Sequence, residues 1–357
     1  MEKDLIQRAF QIPTNVFTYP AKYIAPIWAQ GFECHAGDCG LCCLTEKPDK
    51  VSGIHNAQLD KAICQLYNTK TKICRRYMDR PDLCKLYPFF FGVEDGQVII
   101  MASLECPGTC SDKTPRMELI SELLKEPYFA GRLAFFNDCY EQAILYSDLS
   151  DTKHFQTRLV PEIRSMFRER RHFPFLLEAV QLIYKVFAES FGEKVSIIPP
   201  FSVPALIRST EGLYIATRFQ SHDLGLVTTK GSKLKIVFFD EELREKKNVK
   251  KAIPTAFEEL ELDKGAQQLL YEYILFIMGR PYLSLSAVLA VLKQEPVSSN
   301  FARSIAGVFP PIEVGATLIA QRDNITRIDR DTMREIISFS EGNSRGSFIR
   351  PDKLYEY

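Results

Sequence analysis

The chain has 357 residues, more than one ordinary hydrophobic core needs, so two domains are expected. Lysine plus arginine equals aspartate plus glutamate, 45 of each, which removes any global electrostatic argument for nucleic acid or an anionic membrane as partner. The 46% hydrophobic content is that of an ordinary globular protein.

The first ten residues mix acids and bases and lack the apolar run of a signal peptide. No export and a cytoplasmic location are therefore expected. Residues 1–30 read as a lead-in segment, punctuated by Pro13, Pro20 and Pro26 and anchored by Phe17, Tyr19, Tyr23 and Trp28. Residues 31–115 hold nine of the ten cysteines and many turn formers. Within them, two apolar runs, Pro88–Val93 and Gln97–Met101, flank Glu94-Asp95-Gly96. Asp-Gly between such runs predicts a hairpin, with Cys84 just before it and Cys106 shortly after.

From Arg116 to about Glu193 the apolar spacing is helical, as in Leu119, Ile120, Leu123 and Leu124, and Gly192 is a predicted stop. Gly212–Phe219 and Leu234–Phe239 read as strands, and the glycine-bounded Gly225–Gly231 as the connection between them. Helices are expected to resume over Thr255–Met278 and Leu283–Lys293. The aromatic-rich Leu269–Met278 reads as helix core. The longest apolar stretch, Leu269–Leu292, is broken by Gly279-Arg280-Pro281. Neither half reaches the roughly 18 apolar residues of a membrane span, so no membrane is expected. Residues 116–341 thus read as a mainly helical α+β domain and 342–357 as a loose tail. The expected fold class is α+β: a small irregular cysteine-rich metal-binding domain, then the mainly helical one.

The cysteines carry the chemistry. A buried structural cysteine behaves as a small hydrophobe and would be scattered along the chain. Here four fall in the run Cys34-His-Ala-Gly-Asp-Cys39-Gly-Leu-Cys42-Cys43, and beyond Cys110 only Cys139 follows, which reads as core. Clustered thiols in a reducing compartment are ligands or redox groups rather than disulfides. Cys34-x4-Cys39-x2-Cys42 has the spacing of a plant-type [2Fe–2S] loop, whose fourth ligand would be Cys64, Cys74 or Cys84. Gly37 and Gly40 let successive thiolates converge. Zinc is the rival, through Cys39, Cys42, Cys106 and Cys110. Cys43 either packs or serves a second centre. Pro81 pushes Arg80 toward extended backbone, which would set a cation beside the thiolates. The alternative is an ion pair of Arg80 with Asp79 or Asp82.

The ordered string Phe32-Glu-Cys34…Cys39-x2-Cys42-Cys43, Cys64, Cys74-x2-Tyr77-x2-Arg80-Pro81-x2-Cys84-x2-Tyr87-Pro88 resembles the YkgJ-type cysteine-cluster family. This is the zinc- or iron-chelating CxxCxxCC domain that also occurs in flagellin lysine N-methylases. The resemblance covers roughly residues 30–110. It implies a metal cluster held by Cys34, Cys39, Cys42, Cys43, Cys64, Cys74 and Cys84, with Cys106 and Cys110 as a further element and Tyr77 and Arg80 beside the ligands. The first gap is four residues where the family pattern has two, and nothing beyond Pro115 maps onto the methylases.

No G-x-G-x-x-G, G-x4-G-K-[ST], G-x-S-x-G, H-E-x-x-H or Cys-x3-Cys-x2-Cys occurs. Two function classes are expected from these readings. One is an iron–sulfur or zinc metalloprotein with a structural or redox cluster and a C-terminal partner-binding domain. The other is an S-adenosylmethionine-dependent methyltransferase acting on a protein lysine. The partner is a protein substrate or a redox partner, and no nucleic acid is expected.

Overall fold

The computed structural model describes residues 5–14, 18–29, 31–33, 66–68, 70–80, 82–104, 106–110, 117–173, 175–192, 205–209, 212–218, 224–230, 233–239 and 260–344. It mixes helices and strands, as an α+β fold does. Two compact units divide between Asp138 and Cys139.

The first unit is built on a four-stranded sheet. Strand β1, Leu5–Pro13, alternates between more and less exposed positions, and only Leu5 and Ile12 are buried. Strand β2, Thr18–Pro26, pairs antiparallel with it over the full length, Leu5 opposite Pro26 and Pro13 opposite Thr18. Residues read as a lead-in are therefore two strands. Their prolines explain why periodicity hid them. Pro13 and Pro26 fall at strand ends, where a missing N–H costs little. Ile27–Ala29 then makes a short 3-10 turn.

Two short strands follow, β3 (Tyr67–Asn68) and β4 (Ile73–Cys74), paired antiparallel with Tyr67 opposite Cys74. A 3-10 turn, Tyr77–Asp79, and a five-residue helix α1, Asp82–Leu86, lead into the predicted hairpin. Its strands are β5, Phe89–Glu94, and β6, Gln97–Ala102, with Glu94 opposite Gln97. Asp95 and Gly96 both have positive φ, 51° and 69°, as a two-residue turn matched to strand twist requires. Strand β6 also pairs in parallel with β2, giving the sheet order β1-β2-β6-β5.

A further 3-10 turn covers Pro107–Cys110, then come helices α2, Met117–Lys125, and α3, Pro127–Tyr146. Helix α2 packs on β1, where the Ser121 hydroxyl reaches the Gln11 carbonyl at 3.4 Å. Phe129 and Phe136 of α3 set their rings edge-on to Phe91 of β5, at 6.2 and 6.0 Å between centroids. The sheet is thereby covered by aromatic rings packed in the edge-to-face geometry their quadrupoles favour.

The second unit contains helices α4 (Leu149–Arg168) and α5 (Leu176–Phe191), with the short strand β7 (His172–Phe173) between them. Gly192 ends α5 at φ 74°, the left-handed stop expected of it. An antiparallel meander follows: β8 (Ala205–Ser209), β9 (Gly212–Arg218), β10 (Leu224–Lys230) and β11 (Lys233–Phe239), in the order β11-β10-β9-β8. The segment expected as a connection, Gly225–Gly231, is thus mostly strand. Its glycines drew attention from Val227-Thr228-Thr229, which are β-branched and suit a pleated strand.

Strand β12, Leu260–Leu262, occupies part of the stretch expected to be helical, and buries both leucines around an exposed Glu261. Helix α6 begins only at Lys264 and runs to Met278. The Asp263 carboxylate accepts from the Ala266 N–H at 2.7 Å and fixes that start. Helix α7 spans Tyr282–Lys293.

Three more helices close the unit, none of them apparent from the sequence: α8 (Val297–Ala306), α9 (Phe309–Asp323) and, after β13 (Arg327–Ile328), α10 (Arg330–Ser344). Every residue of α8 is buried, including Ser298, Ser299, Asn300, Arg303 and Ser304, a polar series that looks like surface. Prolines near the start of α9 look like breakers but fall where their missing N–H is tolerated. Strand β12 lies between β7 and β13, parallel to the latter.

The stretch Lys264–Lys293 is long and apolar enough by composition to cross a membrane, but 83% of its most apolar part is buried inside the fold. Leu269, Leu270, Tyr273–Ile277, Leu283, Ala287 and Val288 are core residues there, as expected. The expected tail begins within the last turn of α10, and residues 345–357 lie outside the described residues.

Candidate metal centre

Cys34, Cys39, Cys42, Cys43 and Cys64 lie outside the described residues, as does the run Glu241–Lys251. The remaining cysteines of the cluster segment sit on short elements of the first unit. Cys74 ends β4, Cys84 lies in α1, Cys106 precedes the last 3-10 turn and Cys110 ends it. Cys74, Cys84 and Cys106 are half-buried and not joined in disulfides. Among the described residues no three His, Cys, Asp or Glu side chains are grouped to hold a metal ion. Cys139 is 2% exposed in α3, the core residue expected.

Backbone hydrogen bonds show how the segment is held. The hairpin places Phe89 opposite Ala102, and the Ser103 N–H donates to the Pro88 carbonyl at 2.9 Å. The chains that carry Cys84 and Cys106 therefore leave from the same end of the hairpin. Beyond it, the Cys106 carbonyl accepts from both the N–H and the hydroxyl of Thr109, at 3.0 and 2.7 Å, and Thr109 is fully buried. That turn is pinned in turn by Glu33, whose N–H donates to the Gly108 carbonyl at 2.9 Å. Gly108 is needed there, since a Cβ would lie 2.1 Å from the Glu33 carbonyl oxygen. At the other end, the Arg75 N–H donates to the Leu66 carbonyl at 2.6 Å. Both ends of the run 34–65, with its five cysteines, are thus fastened to backbone next to other cysteines.

Aromatic rings brace this region. Phe89 meets Phe32 at 5.3 Å and Tyr23 at 6.2 Å, both edge-on. Burial pushes the Tyr23 phenol well above its ordinary range, with Arg8 opposing.

Arg80 has the extended backbone expected before proline, φ −69° and ψ 148°. Its guanidinium lies over the Tyr77 ring, 4.2 Å from the centroid. The carboxylate offered as an alternative partner, Asp79, is taken by Arg76. That hydrogen bond, with the attraction of the same guanidinium, holds the Asp79 carboxyl below its usual range. The Arg80 Nε–H is buried with no hydrogen-bond partner. A buried N–H without a partner suits an anionic acceptor. Cys74 and Cys84, which flank Arg80 in sequence, carry the soft donors that a metal or an iron–sulfur cluster takes, although no three such side chains are grouped among the described residues.

By sequence Trp28 is only an aromatic anchor. In the fold its indole N–H is buried with no hydrogen-bond partner, and being the chain's only tryptophan is the one signal that could have singled it out.

The chain matches no protein-family model, no curated protein and no solved structure.

Proposed function

We propose that this chain is a cytoplasmic metalloprotein whose residues 31–115 form a cysteine-cluster domain. The ligands are drawn from Cys34, Cys39, Cys42, Cys43, Cys64, Cys74, Cys84, Cys106 and Cys110, with Tyr77 and Arg80 beside them. Iron–sulfur is the first reading and zinc the rival, because thiolate-only donor sets suit both. The centre is structural or redox-active, and the helical second unit engages a protein partner.

One observation supports this most. The cysteine-rich run 34–65 is fastened at Glu33 to Gly108, between Cys106 and Cys110, and at Leu66 to Arg75, next to Cys74. Metal coordination would supply folding free energy to residues 66–86, whose elements are two to five residues long. Arg80 would offset the negative charge of the thiolates.

Protein purified without oxygen tests the reading. Brown protein with iron and acid-labile sulfide supports a cluster, and colourless protein with stoichiometric zinc supports the rival. A chain that holds neither and takes up neither on reconstitution overturns both. The methyltransferase alternative is supported by the resemblance over roughly residues 30–110 alone. Calorimetric titration of the metal-loaded chain with S-adenosylmethionine tests it, and no heat at millimolar ligand removes it.

A further inference from the structure

The second unit carries a cleft of about 680 Å3 that the metal reading does not use. Its volume falls within the roughly 300–1,000 Å3 of ligand-binding clefts. Three segments build it: the end of α3 with its connection to α4, the end of α5, and the end of α7 with its connection to α8. These walls are tied to one another and to the core. The Asp148 carboxylate accepts from the Val297 and Ser298 N–H groups at 2.8 and 3.2 Å, which fastens the α3–α4 connection to the start of α8. Phe191 packs on Phe155 and Phe187, at 5.7 and 4.8 Å between centroids. A site formed in advance loses less entropy when it is filled.

The lining is apolar and acidic. Phe191 and Val291 supply apolar surface, and the Tyr146 ring stands at the rim, 85% exposed. Ile144 and Leu145, in the same last turn of α3, are exposed as well. Three of the six large exposed apolar side chains among the described residues are therefore consecutive, and such a patch marks a contact surface where scattered ones would not. The charge in the lining has one sign: Asp148 and Glu295, with no lysine or arginine. Glu295 pairs with Arg303 at 2.8 Å and stays 29% exposed, so its carboxylate has capacity for a second donor. Nearby cations are turned elsewhere. Arg303 is buried against Glu295 and Asn300, and Lys153 lies over the Tyr140 ring.

We infer that this cleft docks a short basic segment of a protein partner, an arginine or lysine flanked by apolar side chains. The Tyr146 ring and the Glu295 carboxylate attract the cation, and Phe191 and Val291 receive the apolar flanks. The inference rests on the reading that the second unit engages a protein partner, and it adds the place and the chemistry.

The test selects random short peptides displayed on phage against the full chain, then titrates the enriched peptides by fluorescence anisotropy. Enriched peptides should carry a basic residue among apolar ones and bind more weakly as salt is added. Tyr146→Ala should weaken them about 10-fold, the loss expected of an aromatic anchor. Gln142→Lys, which puts a cation at an exposed position of the lining, should weaken them at least as much. Both positions are exposed, so the fold should survive either change. Leu119→Ser, at an exposed apolar residue of the first unit, should change nothing. Enriched peptides that lack a basic residue, or whose binding ignores both cleft variants, overturn the inference and leave a partner site elsewhere. No enriched peptide at all overturns the partner reading with it. Metal content of the same preparations is measured separately, so neither result is confused with failure of the metal centre.

Discussion

The Glu33 N–H donates to the Gly108 carbonyl at 2.9 Å, while the Glu33 carbonyl oxygen sits where a side chain on residue 108 would begin, 2.1 Å from an ideal Cβ. The contact is backbone against backbone, so neither side can yield by changing rotamer. Gly108→Ala is therefore expected to destabilise the first unit by about 1–3 kcal/mol, the usual cost of overpacking, and to lower metal content. Gly131, exposed in α3 with open space where its Cβ would go, is the control. Gly131→Ala should stabilise by roughly 0.5–1 kcal/mol, through helix propensity alone. Chemical denaturation of both variants measures this. An unchanged Gly108→Ala protein would remove the pinning role given to the contact.

The cysteines divide into two classes by the reading above. Cys39→Ser and Cys74→Ser should lose metal and become protease-sensitive within residues 31–115. Cys139→Ala should keep full metal content and lose only packing, since Cys139 is buried in a helix. Metal analysis and limited proteolysis report on each. Full metal retention in the Cys39 variant would break the proposed ligand set.

Deep in the second unit, Arg280 of the α6–α7 connection pairs with Glu341 of α10, both essentially inaccessible. The Tyr273 hydroxyl adds a hydrogen bond to the same carboxylate oxygen at 2.7 Å. Burial, with the nearby carboxylate, pushes the Tyr273 phenol well above its ordinary range, and burial pushes Tyr282 up to about 12, so both stay neutral at physiological pH. Glu341→Ala would leave a buried guanidinium uncompensated and should cost about 3–5 kcal/mol. Tyr273→Phe should cost roughly 1.5–3 kcal/mol, the range for a hydrogen bond to a charged group. Replacing the pair together, Arg280→Met with Glu341→Leu, should recover much of the loss, because an apolar pair carries no desolvation penalty. Denaturation of the three variants separates these contributions. A double variant as unstable as Glu341→Ala would contradict the argument.

Elements with local causes were legible in the sequence. The Asp95-Gly96 turn needs two residues at positive φ, and its residue types announce it. Gly192 stops α5 for a similar reason. Elements with tertiary causes were not. Strands β1 and β2 are interrupted on paper by Pro13 and Pro26, which fall at strand ends, and by Pro20, which is exposed near the start of β2. Helix α8 buries a polar series because Ser298, Asn300, Arg303 and Ser304 find partners elsewhere in the chain or along the helix. Asp148 accepts from the Val297 and Ser298 N–H groups at 2.8 and 3.2 Å, and Arg303 bonds Glu295 and Asn300, both at 2.8 Å. The site shows the same split. Thiol spacing marks the cysteines, whereas the Glu33–Gly108 approach exists only once the chain is folded.

Asp329 opens α10, where its carboxylate accepts from the Thr332 N–H at 2.9 Å. That hydrogen bond holds the carboxyl below its usual range. A carboxylate lowered in the folded state contributes stability above its unfolded pKa of about 3.9, and the contribution is lost as pH falls through the lowered folded value. Asp329→Asn keeps an acceptor at the cap and should remove this acid-side dependence. Asp329→Ala should cost about 1 kcal/mol at neutral pH. Stability measured between roughly pH 2 and pH 5 distinguishes them. Parallel wild-type and Asp329→Asn curves would show that the carboxylate charge contributes nothing.

Arg80 is the sharpest test of the proposed metal centre. Its guanidinium is stacked on Tyr77, and the neighbouring carboxylate Asp79 belongs to Arg76. Its buried Nε–H has no partner, and under the proposed function that group would face thiolate charge. Arg80→Gln removes that charge and should reduce metal affinity about 10- to 100-fold. Arg80→Lys keeps the charge but loses the planar stack and the fork of donors, so its affinity should fall between the two. Asp79→Asn disrupts only an exposed ion pair and should leave metal binding and stability unchanged. Competition of each variant against a chelator of known affinity gives the ranking. If Arg80→Gln binds as tightly as the wild type, the guanidinium serves the surface through Tyr77 and not the metal.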